Sequence, residues 1–524
     1  MKVRNAVGAI AALVMLAALY PVASAAAHSK PVATVAAGPA RHVNLRKAPS
    51  LKGPAFPKHA FINRPTVPLS KYKAAKLGNG ADRRPGVSAN AAQTAPETAT
   101  NVLGFNGITQ ATAQSTWPPD INGAASSANF AEIVNQHLTT FTRTGVQTSD
   151  RSLATITGYT NKSIFDPRIV YDQTWHRWVA IAEAFPESAS SQRLFIMIST
   201  GNDPGGSYLV YNFNATDQCG SGNFYDYPQL GINQDAVVLT ANCFQGNTYL
   251  GARDIGIAKA ILYNGFGFSV PVFATATGDS TTTPSIVYDQ NPNMDMLTRN
   301  GPHIIRFRNP ANGFYSAGLT DNVVSGFTTP STPRAAGQSG CTATSCTIDT
   351  SDGRFVAPGV EWGAKLWNVA TYGLSGNGSF ATPTWGEFNA NSATTIQHGT
   401  VFVDSCSDDF NASMTASSQN RAWINWTSTD PQGSTCGQTF ARQEVATRLG
   451  SDTAGTFPSR INPFTSPAEL TGNFDSNFGL QRWGDTSSTS LDPANTTANA
   501  WTWNESVPNS SNWGTRAQLV RNAP

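Results

Sequence analysis

From about residue 101 onward, short apolar or alternating runs are separated by clusters of Gly, Asn, Asp and Pro. Runs such as Val179–Ala182, Leu194–Ile198, Ala236–Thr240, Ile304–Phe307, Leu366–Ala370 and Ala422–Trp426 have the length and the β-branched or aromatic content of strands. Helical periodicity is rare. Its best example, around Asn129–His137, reads equally well as a strand. Some ~420 residues of short strands exceed one ordinary sandwich and suit a β-propeller, which adds four-stranded blades around a central channel.

Internal repetition points the same way. Segments that open on an acidic or polar residue with Pro or Gly and then enter an apolar strand begin near Asp120, Asp166, Asp226, Pro284, Phe355, His398 and Trp483. The run Ile169-Val170-Tyr171-Asp172-Gln173 recurs unchanged as Ile286-Val287-Tyr288-Asp289-Gln290. Seven starts give an all-β, seven-bladed expectation, with six or eight blades open as alternatives.

At these residues the chain resembles a group of secreted bacterial β-propeller proteins. The resemblance is carried by Pro118-Pro119-Asp120-Ile121-Asn122-Gly123-Ala124, by Asp166 to Trp178, and by Arg482-Trp483-Gly484-Asp485 running on to Asp492-Pro493 and Trp501 to Glu505. It covers roughly 110–520 and implies a propeller fold without implying an activity. The Asp-box of sialidase propellers does not occur, so no sialidase site is carried over.

The region before this body has a different texture. Lys2 and Arg4 precede an uncharged apolar stretch, Ala6 to Leu19, and then the small residues of Ala23-Ser24-Ala25 and Ala25-Ala26-Ala27. This pattern predicts a cleaved secretory signal over 1–27 and a secreted, periplasmic or cell-surface product. Residues 28–100 carry 12 Lys and Arg against two acidic residues, and nine prolines. Such a composition buries little core and predicts a disordered basic arm or a pro-segment. The arm is a solvated linker, a tether to an anionic envelope, or a cover for an acidic face of the body. Residues 101–524 hold 21 basic against 31 acidic residues, so the body is acidic. An acidic body without a basic stripe argues against nucleic acid, and no second stretch is long and apolar enough for a membrane span.

Six cysteines follow the signal. Export favours disulfides, and sequence neighbours are the simplest pairing: Cys219 with Cys243, Cys341 with Cys346, and Cys406 with Cys436. No CxxC pattern suggests zinc.

Candidate chemistry is positional. No nucleophile elbow, zincin helix, P-loop or dinucleotide fingerprint is present. If the repeats align, Asp120, Asp166, Asp226 and Asp485 stand at equivalent starts of innermost strands, around one channel mouth. They would bind Ca²⁺, act as an acid and base on a sugar linkage, or cap backbone amides at turns. Glu361 is a further candidate acid. Arg168, Arg482, Trp483 and His398 are candidate ligand contacts, whereas Trp178 and Trp367 read as core. The metal is unknown, with Ca²⁺ the one considered, and a monomer is expected. The functions left open are a carbohydrate-binding or carbohydrate-processing propeller (a glycoside hydrolase or polysaccharide lyase if an enzyme), a non-catalytic envelope or adhesion protein, and a hydrolase of another extracellular polymer.

Overall fold

The computed structural model describes residues 29–55, 64–77, 98–275, 280–299, 302–313, 317–327, 331–374, 380–431 and 439–523. The expected signal over 1–27 lies outside them. The body is all-β. In Arg193–Ser199, Leu194, Ile196 and Ile198 enter one apolar cluster while Phe195 and Met197 enter another. Both faces of the strand are therefore buried between neighbouring sheets, and that is why the sequence shows a near-continuous apolar run there.

Five sheets of four or more strands form a β-propeller arrangement. The first begins at β1 (Asn122–Ala125) and passes through Asn129–Val134, His137–Thr142 and Gln147–Ser152. The ambiguous stretch near Asn129 is thus strand. The second begins at β2 (Ile164–Asp172) and continues through Arg177–Ala184, Arg193–Ser199 and Ser207–Asn214. A ten-stranded sheet contains β3 (Phe224–Ile232), β4 (Ser285–Val287) and β5 (Gly359–Trp362). The remaining two begin at β6 (Asp408–Ala416) and β7 (Ser488–Leu491).

Hydrogen bonding thus divides the body into five such sheets, where the sequence repeats led to an expectation of seven. The reason is local. The short β4 pairs in parallel with β3 at Ile232 and with β5 from Ser285 to Val287, and so fuses their sheets. A separate three-stranded sheet, Met294–Leu297, His303–Arg308 and Gly318–Val323, stands beside it. The final sheet is closed by the first strand of the body: Thr98–Thr109 pairs with Asn512–Ala523. A Cβ at Gly123 of β1 would sit 2.4 Å from the Trp503 ring, so the approach of these two sheets requires glycine there.

Part of the segment expected to be disordered is ordered. Ala33–Ala37 adds to the edge strand Phe268–Ala274, and Arg41–Asn44 adds to Ser207–Asn214. Val35, Val43 and Leu45 are buried. The composition argument fails here because these residues borrow the body's core and unpaired sheet edges, and need none of their own. Further on, helix α1 (Leu69–Lys76) docks with Tyr72 and Lys76 buried.

Cys219–Cys243 and Cys341–Cys346 are disulfides with Cα separations of 5.5 and 6.1 Å. Cys406 is also disulfide-bonded, while Cys436 lies outside the described residues. No helix among the described residues is long and apolar enough to cross a membrane.

Candidate functional site

The blade starts share a local device. Asp120 and Asp166 have φ of 49° and 47°, Tyr227 has 60° and Asn411 has 53°. The pairing register slips beside three of them, at Phe165/Arg168, Asp226/Gln229 and Phe410/Ser413. Such bulges turn the strand and re-aim its side chains. Prolines next to them (Pro119, Pro167 and Pro228) occupy places where ladder hydrogen bonding is interrupted.

These bends bring Asp120, Asp166, Asp226 and Asp485 to one end of the channel. The Asp485 amide donates to Asp120 Oδ1 at 2.6 Å. Asn135 bridges the next pair: its Nδ2 donates to Asp120 Oδ2 at 2.6 Å, and its Oδ1 accepts from the Asp166 amide at 2.8 Å. Asp166, Asp226 and Glu183 each place a carboxylate oxygen within 4.8 Å of the others. Glu183 comes from the strand paired with β2. Its Oε1 accepts from the Tyr227 amide at 3.1 Å and its Oε2 accepts from Gln192 at 2.9 Å. Glu505 is buried nearby with both carboxylate oxygens lacking a hydrogen-bond partner.

Burial and mutual repulsion make these groups hold protons. Asp120 is pushed up to about 6, first by burial and then by the charge of Asp485. Asp166 is held well above the ordinary carboxylate range by burial, then by Asp120 and Asp226. Glu183 and Glu505 are raised well above theirs, again by burial first. Burial also raises Asp226, against the opposing pull of Arg64 and Arg354. Carboxyl groups pushed toward the protonated form by burial and by neighbouring acids form the arrangement from which acid–base pairs are built.

The arginines at the mouth are held in place. Arg168 is buried, donates from Nε to the Pro228 carbonyl at 3.0 Å and lies over the Tyr227 ring. Arg354 also lies over that ring. Arg482 is buried and pairs with Asp485 at 2.8 Å. A small cleft of about 10 Å³, room for roughly one water molecule, lies between Asp485, Arg482, Arg354 and Asp349.

The leading segment crosses this mouth. Arg64 stands 3.6 Å from Asp226. The Thr66 amide and hydroxyl donate to Asp352 Oδ2 at 2.7 and 2.9 Å. The Tyr72 hydroxyl reaches both Asp349 oxygens at 2.5 Å, and Lys76 Nζ lies 3.2 Å from Asp349.

Two expected site residues, Glu361 and His398, lie elsewhere, and a third, Trp483, lines the cleft but is enclosed. Glu361, on β5, is buried beside Asn291 and the Asp295–Arg306 ion pair, and is raised to about 8 by burial and then by Asp295. It is a core acid between blades. Trp483 is 1% exposed and packs edge-on against Phe410, which leaves no open face for a sugar ring. His398 is exposed on the outer strand Thr394–Thr400, and the next sheet begins instead at Asp408–Ala416. The alternating pattern of an outer strand resembles that of an inner one, so the sequence did not separate them.

Asn135, Glu183, Glu505 and Asp349 had not been singled out from sequence. Glu183 sits in the apolar run that follows Arg177-Trp178, and a charge inside such a run is the one signal that pointed to it.

No family model matches the chain, and no curated protein matches it in sequence. Solved structures give distant likenesses. Raptor from Chaetomium thermophilum aligns with TM-score 0.39 at 7% identity over 82% of this chain and 30% of that one. An α-L-arabinanase from Penicillium chrysogenum complexed with arabinobiose gives 0.36 at 12% identity over 67% of this chain and 98% of that one. A Trypanosoma rangeli sialidase in complex with sialic acid gives 0.35 at 12% identity over 71% and 55%. The chain thus spans about a third of the Raptor structure and about half of the sialidase. None of these similarities reaches a level at which activity transfers.

Proposed function

We propose that the acidic channel mouth is where this propeller binds and processes a polar, carbohydrate-type ligand. The observation that carries the reading is the convergence of Asp120, Asp166, Asp226 and Asp485 at one end of the channel, with Asp120 raised to about 6. Asp120 supplies a proton near neutral pH, and Asp485, with a side chain 16% exposed, is the partner nearer the cleft. Arg168 and Arg482 orient the carboxylates and their supporting strands. The reaction class is hydrolysis or elimination at a glycosidic linkage. A panel of polysaccharides tests it. Conversion of one member that falls at least ~100-fold in Asp120→Asn and Asp485→Asn, within the usual worth of acid–base catalysis, supports the reading. Activity unchanged by both substitutions removes it.

A second reading, a non-catalytic interaction protein, is favoured by the docked residues 64–77, which occupy the same mouth. On that reading the full chain binds a partner with the segment in place and converts no polysaccharide.

We also infer a seven-unit propeller. In its support, β1 to β7 pack in closed order, each on the next and β7 on β1, with the three-stranded sheet completing the unit of β4. Export is part of the same reading, supported by disulfides of the kind that persist in oxidising compartments. N-terminal sequencing of the mature protein should then begin just after Ala25 or Ala27. Membership of the secreted bacterial propeller group rests on the shared blade-start motifs.

A further inference from the structure

The triad of Asp166, Glu183 and Asp226 is fixed on three rigid strands, two in one sheet and one in the next. One oxygen from each lies within 4.8 Å of the others, the spread set by oxygen ligands at about 2.3–2.6 Å from a single Ca²⁺. Acidic residues alone would not make a site. Two further observations point to a missing positive charge. Asp166 is 4% exposed, and its Oδ1 is enclosed with no hydrogen-bond partner. In addition, a cation from elsewhere in the chain is already drawn there: Arg64 reaches Asp226 at 3.6 Å from the leading segment, with its guanidinium over the Phe224 ring. Among the described residues this is the one side-chain ion pair made to the triad. Glu183 is also oriented from behind by Gln192 and by the Tyr227 amide, the kind of support that holds a metal ligand in place.

We propose that Asp166, Glu183 and Asp226 form a divalent-cation site of hard oxygen ligands, and that Arg64 stands in for the cation while the leading segment is docked. Displacement or removal of that segment withdraws one positive charge and opens the site to an ion. The proposal is separate from the acid–base reading, because a metal titration requires no turnover.

The test is calorimetric titration of the full chain and of Arg64→Ala with Ca²⁺ at neutral pH. Tb³⁺ luminescence provides a second probe. Arg64→Ala should bind one Ca²⁺ per chain at least ten-fold more tightly than the unaltered protein. Adding Asp166→Asn to Arg64→Ala should weaken that binding at least ten-fold. Binding indifferent to Asp166→Asn overturns the proposal, as does the absence of Ca²⁺ and Tb³⁺ binding in both proteins at millimolar ion. If Arg64→Ala does not fold, the unaltered chain and its Asp166→Asn variant titrated with Ca²⁺ and Tb³⁺ up to millimolar ion decide. Binding weakened at least ten-fold by Asp166→Asn supports the site, and equal or absent binding overturns it.

Discussion

Two parts of the channel mouth handle negative charge in opposite ways. Around Asp120, Asp166, Glu183 and Asp226, acids outnumber their direct cationic partners, and the groups retain protons. On the rim ahead of β5, Asp349 and Asp352 are answered in full. Tyr72 and Lys76 close on Asp349, while Thr66 and Arg354 close on Asp352. Burial alone would raise Asp352, but Arg354 and then Arg299 outweigh it and hold the carboxyl well below the usual range. Burial is common to both places, so what differs is the supply of partners. A carboxylate given donors and cations becomes an anchor. One denied them stores a proton or waits for an ion, and is available for chemistry.

The sharpest way to break this contrast is to remove an anchor. Lys76 Nζ also donates to Thr350 Oγ1 at 2.7 Å and to the Ser351 carbonyl at 2.5 Å. Lys76→Ala breaks a buried ion pair with Asp349 and should cost about 3–5 kcal/mol in denaturant unfolding. A loss under ~1 kcal/mol would show that α1 does not depend on this pair.

The next effect is on pH. Asp120 rises from 3.8 to about 6 in the folded protein. Between those values the folded chain keeps a proton that the unfolded chain has lost. Its contribution is therefore fully present below pH ~4 and is lost as pH rises through about 6, by roughly 3 kcal/mol. Asp352 works with the opposite sign, and its contribution is lost only as pH falls into the strongly acid range. Unfolding measured from pH 4 to 7 should show a flatter decline in Asp120→Asn than in the unaltered protein.

Asp166→Asn should be nearly silent in stability at neutral pH, within about 1 kcal/mol, because a neutral isostere replaces a carboxyl whose charge burial, Asp120 and Asp226 already disfavour. A penalty as large as that of Lys76→Ala would erase the distinction between the two parts. The smallest change is expected from His398→Ala, within about 0.5 kcal/mol and without effect on any ligand bound at the mouth, since the residue is exposed on an outer strand.

Much of the acidic part was legible in the chain. Asp120 and Asp166 each stand beside a proline and Asp226 stands two residues before one, at the entry to an apolar run, and Asp485 follows Trp483-Gly484. The bulge that aims a carboxylate leaves this local trace, because proline and a tolerated positive φ are local requirements. Glu361 misled for the converse reason. Its Gly359-Val360-Glu361-Trp362 context is also a blade start, but the side chain is buried between blades beside Asp295. The face that a strand residue presents depends on register, and register is set by the neighbouring strands.

Composition and periodicity by themselves determined an all-β, repeat-built body and an acidic body behind a basic leader, and nearness in sequence made Cys219–Cys243 and Cys341–Cys346 the simplest pairings, which the structure shows. Each depends on residues close in sequence or on sums along it. Tertiary structure alone decided that Glu183 joins Asp166 and Asp226, that Asn135 bridges Asp120 and Asp166, and that the basic leader returns to lie across the mouth. Those contacts join residues far apart in the chain. Arg64 meets Asp226, and Tyr72 meets Asp349, only because the ring of blades carries their distant backbones to one place.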